Sequence, residues 1–123
     1  MDKIEDMKKK FSEFLKERDW EKFHNPKDLA IALSIEANEL LEIFEWKTTE
    51  ESWQILKEKK DEIELEIADL MHFLIAFSNA TGIDLYESFN KKLEINNVRY
   101  PKELVKGKTH KYSFYRKNLS EEI

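Results

Sequence analysis

Two pairs of carboxylates, each set three residues apart, are the part of this sequence best suited to chemistry: Glu36 with Glu39, and Glu66 with Asp69. Residues three apart share one face of a helix, so each pair aims two acids in one direction. Two such faces opposed across a helical bundle make an all-oxygen cage. Oxygen ligands suit hard cations, and Mg²⁺ in particular keeps open positions for water or phosphate oxygens; Mn²⁺ is the natural substitute. The cation would in turn offset the mutual repulsion of the four acids.

Their placement separates them from an ordinary solvated face. At about 100° per residue, Leu29, Ala30, Leu33, Ala37, Leu40, Leu41, Ile43 and Phe44 define an apolar arc. Glu36 falls inside it and Glu39 at its edge beside Ala32, whereas Ser34, Asn38, Glu42 and Glu45 lie on the polar side. Further on, Glu62, Glu66, Asp69 and Phe73 form a stripe beside the arc of Ile63, Ile67, Leu70, Leu74 and Phe77. From Ile67 onward that helix is apolar nearly all round, the pattern of a central helix. Asp69 is thereby expected to be buried, as is Glu36, with Glu39 and Glu66 nearer the edge. A buried carboxylate is paired, neutral or bound to metal. Single Glu-x-x-Glu pairs are common on solvated helices; two pairs on core-facing sides are not.

Around these acids stand aromatic and basic residues. Trp20, His24 and Trp46 flank the ends of the helix that carries Glu36, and aromatic faces stack on nucleobases, although Trp is also a frequent core residue. Lys92, Asn96 and Arg99 recur at i, i+4 and i+7. They can meet phosphate oxygens or simply occupy a solvated helix end.

The elements that must position these groups are helices. Only two Gly and two Pro occur in 123 residues, which favours long helices and an all-α, four-helix-bundle-like fold. The periodicity predicts helices over about Asp2 to Arg18, Lys27 to Trp46 and Asp61 to Ala80, and from Asp84 to about Asn97. A short helix from Thr48 to about Lys60 precedes the third and can run on into it. Asn25-Pro26, Thr48-Thr49 and Asp84 to Glu87 are start signals, and Gly82 is a stop. Lys102 to Ile123 reads as an extended basic and aromatic tail.

Charged residues make up 38% of the chain and the net charge is −5. An acidic balance disfavours a nucleic-acid partner but not a nucleotide, because a bound cation reverses the local sign. There is no cysteine, no apolar leader and no apolar run long enough for a membrane span; the expected setting is the cytoplasm.

Glu36-Ala-Asn-Glu39 followed by Glu66-Ile-Ala-Asp69 resembles the ExxE…ExxD signature of the MazG-like nucleotide pyrophosphohydrolases. The flanks Glu17-Arg-Asp-Trp20, Phe23-His24, Pro26-Lys-Asp-Leu29, Phe44-Glu-Trp46 and Asn96 to Pro101 are similar to the small dCTP pyrophosphatase branch. The resemblance runs from about Phe11 to Tyr112, giving an expected domain of residues 1–112 and a tail of 113–123. It implies an all-α subunit assembled into a dimer or tetramer, converting a nucleoside triphosphate to monophosphate and pyrophosphate with Mg²⁺. It implies Glu36, Glu39, Glu66 and Asp69 as metal ligands, and Trp20 to His24 with Trp46 as holders of base and sugar. Phe73, Lys92, Asn96, Arg99 and Tyr100 would stand near the substrate. Phe11 and Phe73 occupy positions where the animal dCTP enzymes carry His and Tyr, which removes polar contacts and leaves the base preference open.

Glu39, at the edge of its arc, is the expected general base. Two other readings remain. Asp69-Leu-Met-His72 hints at a carboxylate-bridged di-iron bundle, but that architecture needs two acid-x-x-His elements and residue 42 is Glu. A non-catalytic helical interaction module, its acids paired with a partner's cations, is the second, since function does not follow from fold.

Overall fold

The computed structural model describes residues 2–108. Six α-helices and one 3₁₀ turn account for most of them, with no strand among the described residues. Four of these starts are written in local side-chain chemistry. The Asp2 carboxylate accepts from the Glu5 N–H at 2.9 Å and opens α1 (Lys3–Glu17). After the 3₁₀ turn Glu21–Phe23, Asn25 accepts from the Asp28 N–H at 2.9 Å and opens α2 (Pro26–Phe44). Pro26 sits where a helix needs no N–H. Thr48 and Glu51 satisfy each other's backbone N–H groups in a full capping box at the head of α3 (Thr49–Glu58).

Lys59, at φ −118° and ψ 28°, breaks the chain between α3 and α4 (Lys60–Thr81), so the two are separate helices. Gly82 closes α4 at φ 77°, the left-handed region that Gly enters without strain. α5 (Leu85–Arg99) follows, capped by Asp84, and runs two residues beyond its expected end. The expected extended tail is helical at its start: α6 (Lys102–Val105) is one turn, closed by Lys106 N–H to Lys102 O at 3.2 Å. Pro101 supplies the reason, since its fixed φ of −57° directs the chain into that turn. The rest of the tail call, and the boundary expected at residue 112, lie outside the described residues. Among the described residues the chain divides into two compact units, one ending at Ile83 and one beginning at Asp84.

Within the first unit α4 packs against α1, α2 and α3, as its all-round apolarity requires. The buried set is small: Leu15, Leu29, Ile63, Ile75, Ala76 and Ser78. Ser78 is satisfied by donating its hydroxyl to the Ile83 carbonyl at 2.6 Å. Several residues assigned to the apolar arcs are not covered. Leu41 is 52% exposed and Ile67 53%, and outside the arcs Ile31 and Ile35 are comparably open. The described chain leaves part of the surface of α2 and α4 without a neighbour, so apolar residues there face outward. No helix among the described residues is long and apolar enough to cross a membrane.

Candidate metal centre and nucleotide site

The carboxylates come from the two helices that pack together most extensively, α2 and α4. Ligand oxygens of Glu36, Glu39 and Glu66 all lie within 4.8 Å of one another, and all three side chains are half-buried. Oε2 of Glu36 and Oε2 of Glu66 are enclosed and have no hydrogen-bond partner. Carboxylates this close repel one another unless a proton or a cation lies between them. Enclosed acceptors without a donor are rare in folded proteins. The trio therefore has the donor set and the unmet demand of a hard-cation site.

The electrostatics agree. The Glu36 carboxyl is pushed up from 4.5 to about 7, first by burial of its charge, then by the adjoining Glu39 carboxylate and the charges of Asp69 and Glu66. Glu66 is raised in the same direction, again by burial first and then by Glu39, Asp69 and Glu62. Asp69 is half-buried one turn beyond Glu66. It acts on both carboxyls through its charge but falls outside the mutual 4.8 Å set. The expected enclosure of Glu36 is seen at its Oε2, and Glu66, expected nearer the edge, has an enclosed oxygen as well, while Asp69 is half-buried like both. A helical wheel ranks residues by angle, whereas enclosure is decided by what packs opposite, and α2 covers Glu66.

The remaining predicted residues are spread out. His24 is half-buried and lines a polar cleft of about 450 Å³ with Ser12, Leu15, Lys16, Glu21, Ala76, Asn79 and Ala80. Trp20 is 48% exposed and meets Phe14 edge-on, ring centres 5.9 Å apart. Phe73 is half-buried on the carboxylate stripe of α4. Trp46 is 87% exposed just past the C-terminal end of α2. The 19 residues of α2 rise by about 27 Å. Trp20 and His24 therefore flank one end and Trp46 the other, so one chain does not bring them onto one nucleoside. Lys92, Asn96 and Arg99 share a face of α5, and Tyr100 follows it, its N–H donating to Asn96 O at 2.8 Å; these four belong to the second unit.

His72 is stacked on Phe11, ring centres 4.6 Å apart. Both line an apolar groove of about 420 Å³ with Met7, Phe14, Met71 and Ile75. His72 is taken up by its ring contact with Phe11 and is not among the clustered carboxylates, so the acid-x-x-His element of a di-iron site is not assembled. The cleft residues Ser12, Glu21 and Asn79 had no signal in the sequence, because α1, the 3₁₀ turn and α4 meet there only in the fold.

The sequence profile of the MazG-like family matches residues 31–113, which include all four carboxylates. The chain belongs to the MazG-like family. It is similar to rat dCTP pyrophosphatase 1, at 36% identity over 114 residues, which is 89% of this chain and 66% of that protein. The human dCTP pyrophosphatase 1 is 35% identical over the same shares. The chain thus spans just under two thirds of the length of these curated relatives. A crystal structure of a pyrophosphatase from Archaeoglobus fulgidus superposes with a TM-score of 0.79 at 37% identity, over 82% of this chain and 94% of that one. The likeness to a MazG-type all-α subunit therefore holds in three dimensions as well as in sequence.

Proposed function

We propose that this MazG-like chain is a Mg²⁺-dependent nucleoside triphosphate pyrophosphohydrolase, yielding a monophosphate and pyrophosphate, with dCTP among its substrates. The observation that carries the reading is the pair of enclosed, unpartnered oxygens of Glu36 and Glu66 within a trio of carboxylates. The names of the relatives supply the reaction class.

Glu36, Glu39 and Glu66 would hold the ion, with Asp69 adding negative charge at its margin. Bound there, Mg²⁺ supplies charge neutralisation for the triphosphate and acidifies a water. Glu39 is the proposed general base: it adjoins Glu36 and Glu66, and neither of its oxygens is among the enclosed, unpartnered ones. Water adds across the phosphoanhydride between the α- and β-phosphates, its proton passes to Glu39, and pyrophosphate leaves. Trp20, His24 and Phe73 are the proposed contacts to the nucleoside. A homodimer or homotetramer would cover Ile31, Ile35, Leu41 and Ile67, and would let Trp46 of one copy reach a site of another.

The test is pyrophosphate release from deoxynucleoside triphosphates with Mg²⁺ by the wild-type chain, Glu36→Gln and Asp69→Asn. Loss of at least tenfold in each variant is expected. Unchanged turnover in both would end this reading.

A further inference from the structure

We infer that Asp19 is a positioning residue for the reaction: its left-handed backbone turns Trp20 back onto α1, where Phe14 and Phe11 key the indole to α4, the helix that carries Glu66 and Asp69. This rests on the reading that Trp20 contacts the nucleoside of a triphosphate held at the carboxylate cage.

The starting observation is a backbone outlier. Asp19, at φ 55°, is the one non-glycine residue with a positive φ among the described residues. L-residues enter that region at a steric cost, and Asn and Asp do so more readily than others. α4 ends in the same region with Gly82, at φ 77°, whereas at the end of α1 the position carries a side chain. The hydrogen bonds are those of a Schellman closure. The Asp19 N–H donates to Lys16 O at 3.1 Å and the Trp20 N–H to Leu15 O at 3.0 Å. Leu15 is buried, so the closure is anchored in the core. Such a closure brings the residue after the left-handed one against the last turns of the helix. Here that residue is Trp20, and it meets Phe14 edge-on with ring centres 5.9 Å apart. The Asp19 carboxylate also meets Lys22 Nζ at 2.8 Å, but the pair is exposed and contributes little, so the backbone rather than the charge sets the turn. Residues held in sparsely populated backbone regions concentrate at functional sites.

From Trp20 the ring contacts continue inward. Phe14 lies 5.7 Å from Phe11, and Phe11 is stacked on His72 of α4 at 4.6 Å. The Arg18 guanidinium stands 3.9 Å from the centre of the Phe14 ring and donates to the Phe14 carbonyl at 2.9 Å, which steadies that ring. Trp20 is thereby located relative to α4 by a closed helix end and a run of ring contacts, while 48% of its surface stays open. A ring held on one side and open on the other is a preorganised stacking face, whose ordering cost is met in folding and not on binding. Trp20 also opens the 3₁₀ turn, its carbonyl accepting from the Phe23 N–H at 3.1 Å, so a change at Asp19 moves the ring and the turn together. A β-branched residue at position 19 disfavours the left-handed region, reopens the closure and frees the indole, whereas Asn retains it.

Steady-state turnover of dCTP with Mg²⁺ tests this in Asp19→Asn, Asp19→Ala, Asp19→Val, Trp20→Ala and the double variant of Asp19→Val with Trp20→Ala. Asp19→Val is expected to raise KM by about fivefold or more, the size of one aromatic stack. Its kcat should stay within about twofold of wild type, the pattern of lost uniform binding, and its thermal stabilisation by Mg²⁺ alone should match wild type. Asp19→Ala, the milder change for folding, should raise KM by less, and Asp19→Asn should keep the wild-type value. On top of Trp20→Ala, Asp19→Val should have no further effect on KM, because residues that act through one contact do not add. An unchanged KM in both Asp19→Val and Asp19→Ala would overturn the assignment of Asp19 and leave the cage reading standing. So would a rise in Asp19→Asn equal to that in Asp19→Val, or a full further rise in the double variant. An unchanged KM in Trp20→Ala would overturn the nucleoside contact through which Asp19 acts. Absence of turnover of every nucleotide by the wild type would overturn the assignment and the cage reading together.

Discussion

Replacing Glu36 by Gln should make the metal-free protein more stable and the enzyme inactive. The native Glu36 carboxyl titrates at about 7 rather than 4.5, because burial and three neighbouring acids oppose its charge. The folded state thus binds this proton more tightly than the unfolded chain. Its contribution to stability is complete below 4.5 and is lost as pH rises through about 7. At roughly 1.4 kcal/mol per pH unit the ceiling on that loss is about 3 kcal/mol. Glu36 retains part of its solvent exposure, so screening reduces the figure, to about 1 to 2 kcal/mol. Gln keeps the shape and removes the charge. In EDTA at pH 8, Glu36→Gln should melt about 4 to 8 °C above wild type, at about 4 °C per kcal/mol for a chain of this size, and the gap should close by pH 5. With Mg²⁺ the order should invert, wild type gaining stability by mass action and the variant gaining little. Differential scanning fluorimetry with and without EDTA, beside a pyrophosphate-release assay, measures both. A variant that melts below wild type in EDTA at pH 8, or that responds to Mg²⁺ as wild type does, would refute the reasoning.

Other outcomes follow from the same geometry. Because protons and metal compete for one carboxylate set, Mg²⁺ affinity measured by calorimetry should rise between pH 6 and pH 8; a flat profile would disconnect the ion from Glu36 and Glu66. Glu66→Gln should weaken Mg²⁺ binding more than Asp69→Asn does, since Asp69 stands outside the 4.8 Å set; the reverse order in calorimetry would return Asp69 to the centre of the site. Thr48→Ala removes half of the capping box of α3 and should cost about 1 kcal/mol in urea unfolding, with Mg²⁺ affinity unchanged.

Local chemistry explains which features could be read from sequence. Asn25 with Pro26, Thr48 with Glu51, and Gly82 act over one helical turn, so they set the ends of α2, α3 and α4 without knowledge of the fold. The carboxylate pairs were legible for the same reason, because three-residue spacing is a property of one helix. What depended on neighbours was not. Glu66 rather than Asp69 joins the close cluster because its carboxylate meets Glu36 and Glu39 of α2. Leu41 and Ile67 are apolar yet open, since periodicity marks what a face is made of and not whether anything lies on it. Trp20 and Trp46 looked alike as aromatic residues flanking one helix, but the length of that helix puts them at opposite ends. The cleft at Glu21 and Asn79 joins residues 58 positions apart in sequence, and no window of the sequence contains it.

The central claim is that the cage of Glu36, Glu39 and Glu66 supports cleavage of the bond between the α- and β-phosphates. Phosphorus NMR of dCTP incubated with the protein and Mg²⁺ in H₂¹⁸O reads this most directly. The account predicts dCMP and pyrophosphate as the sole products, one ¹⁸O appearing between them per turnover, and no reaction in EDTA or with Glu36→Gln. Formation of dCDP and orthophosphate, or turnover that survives Glu36→Gln, would contradict it.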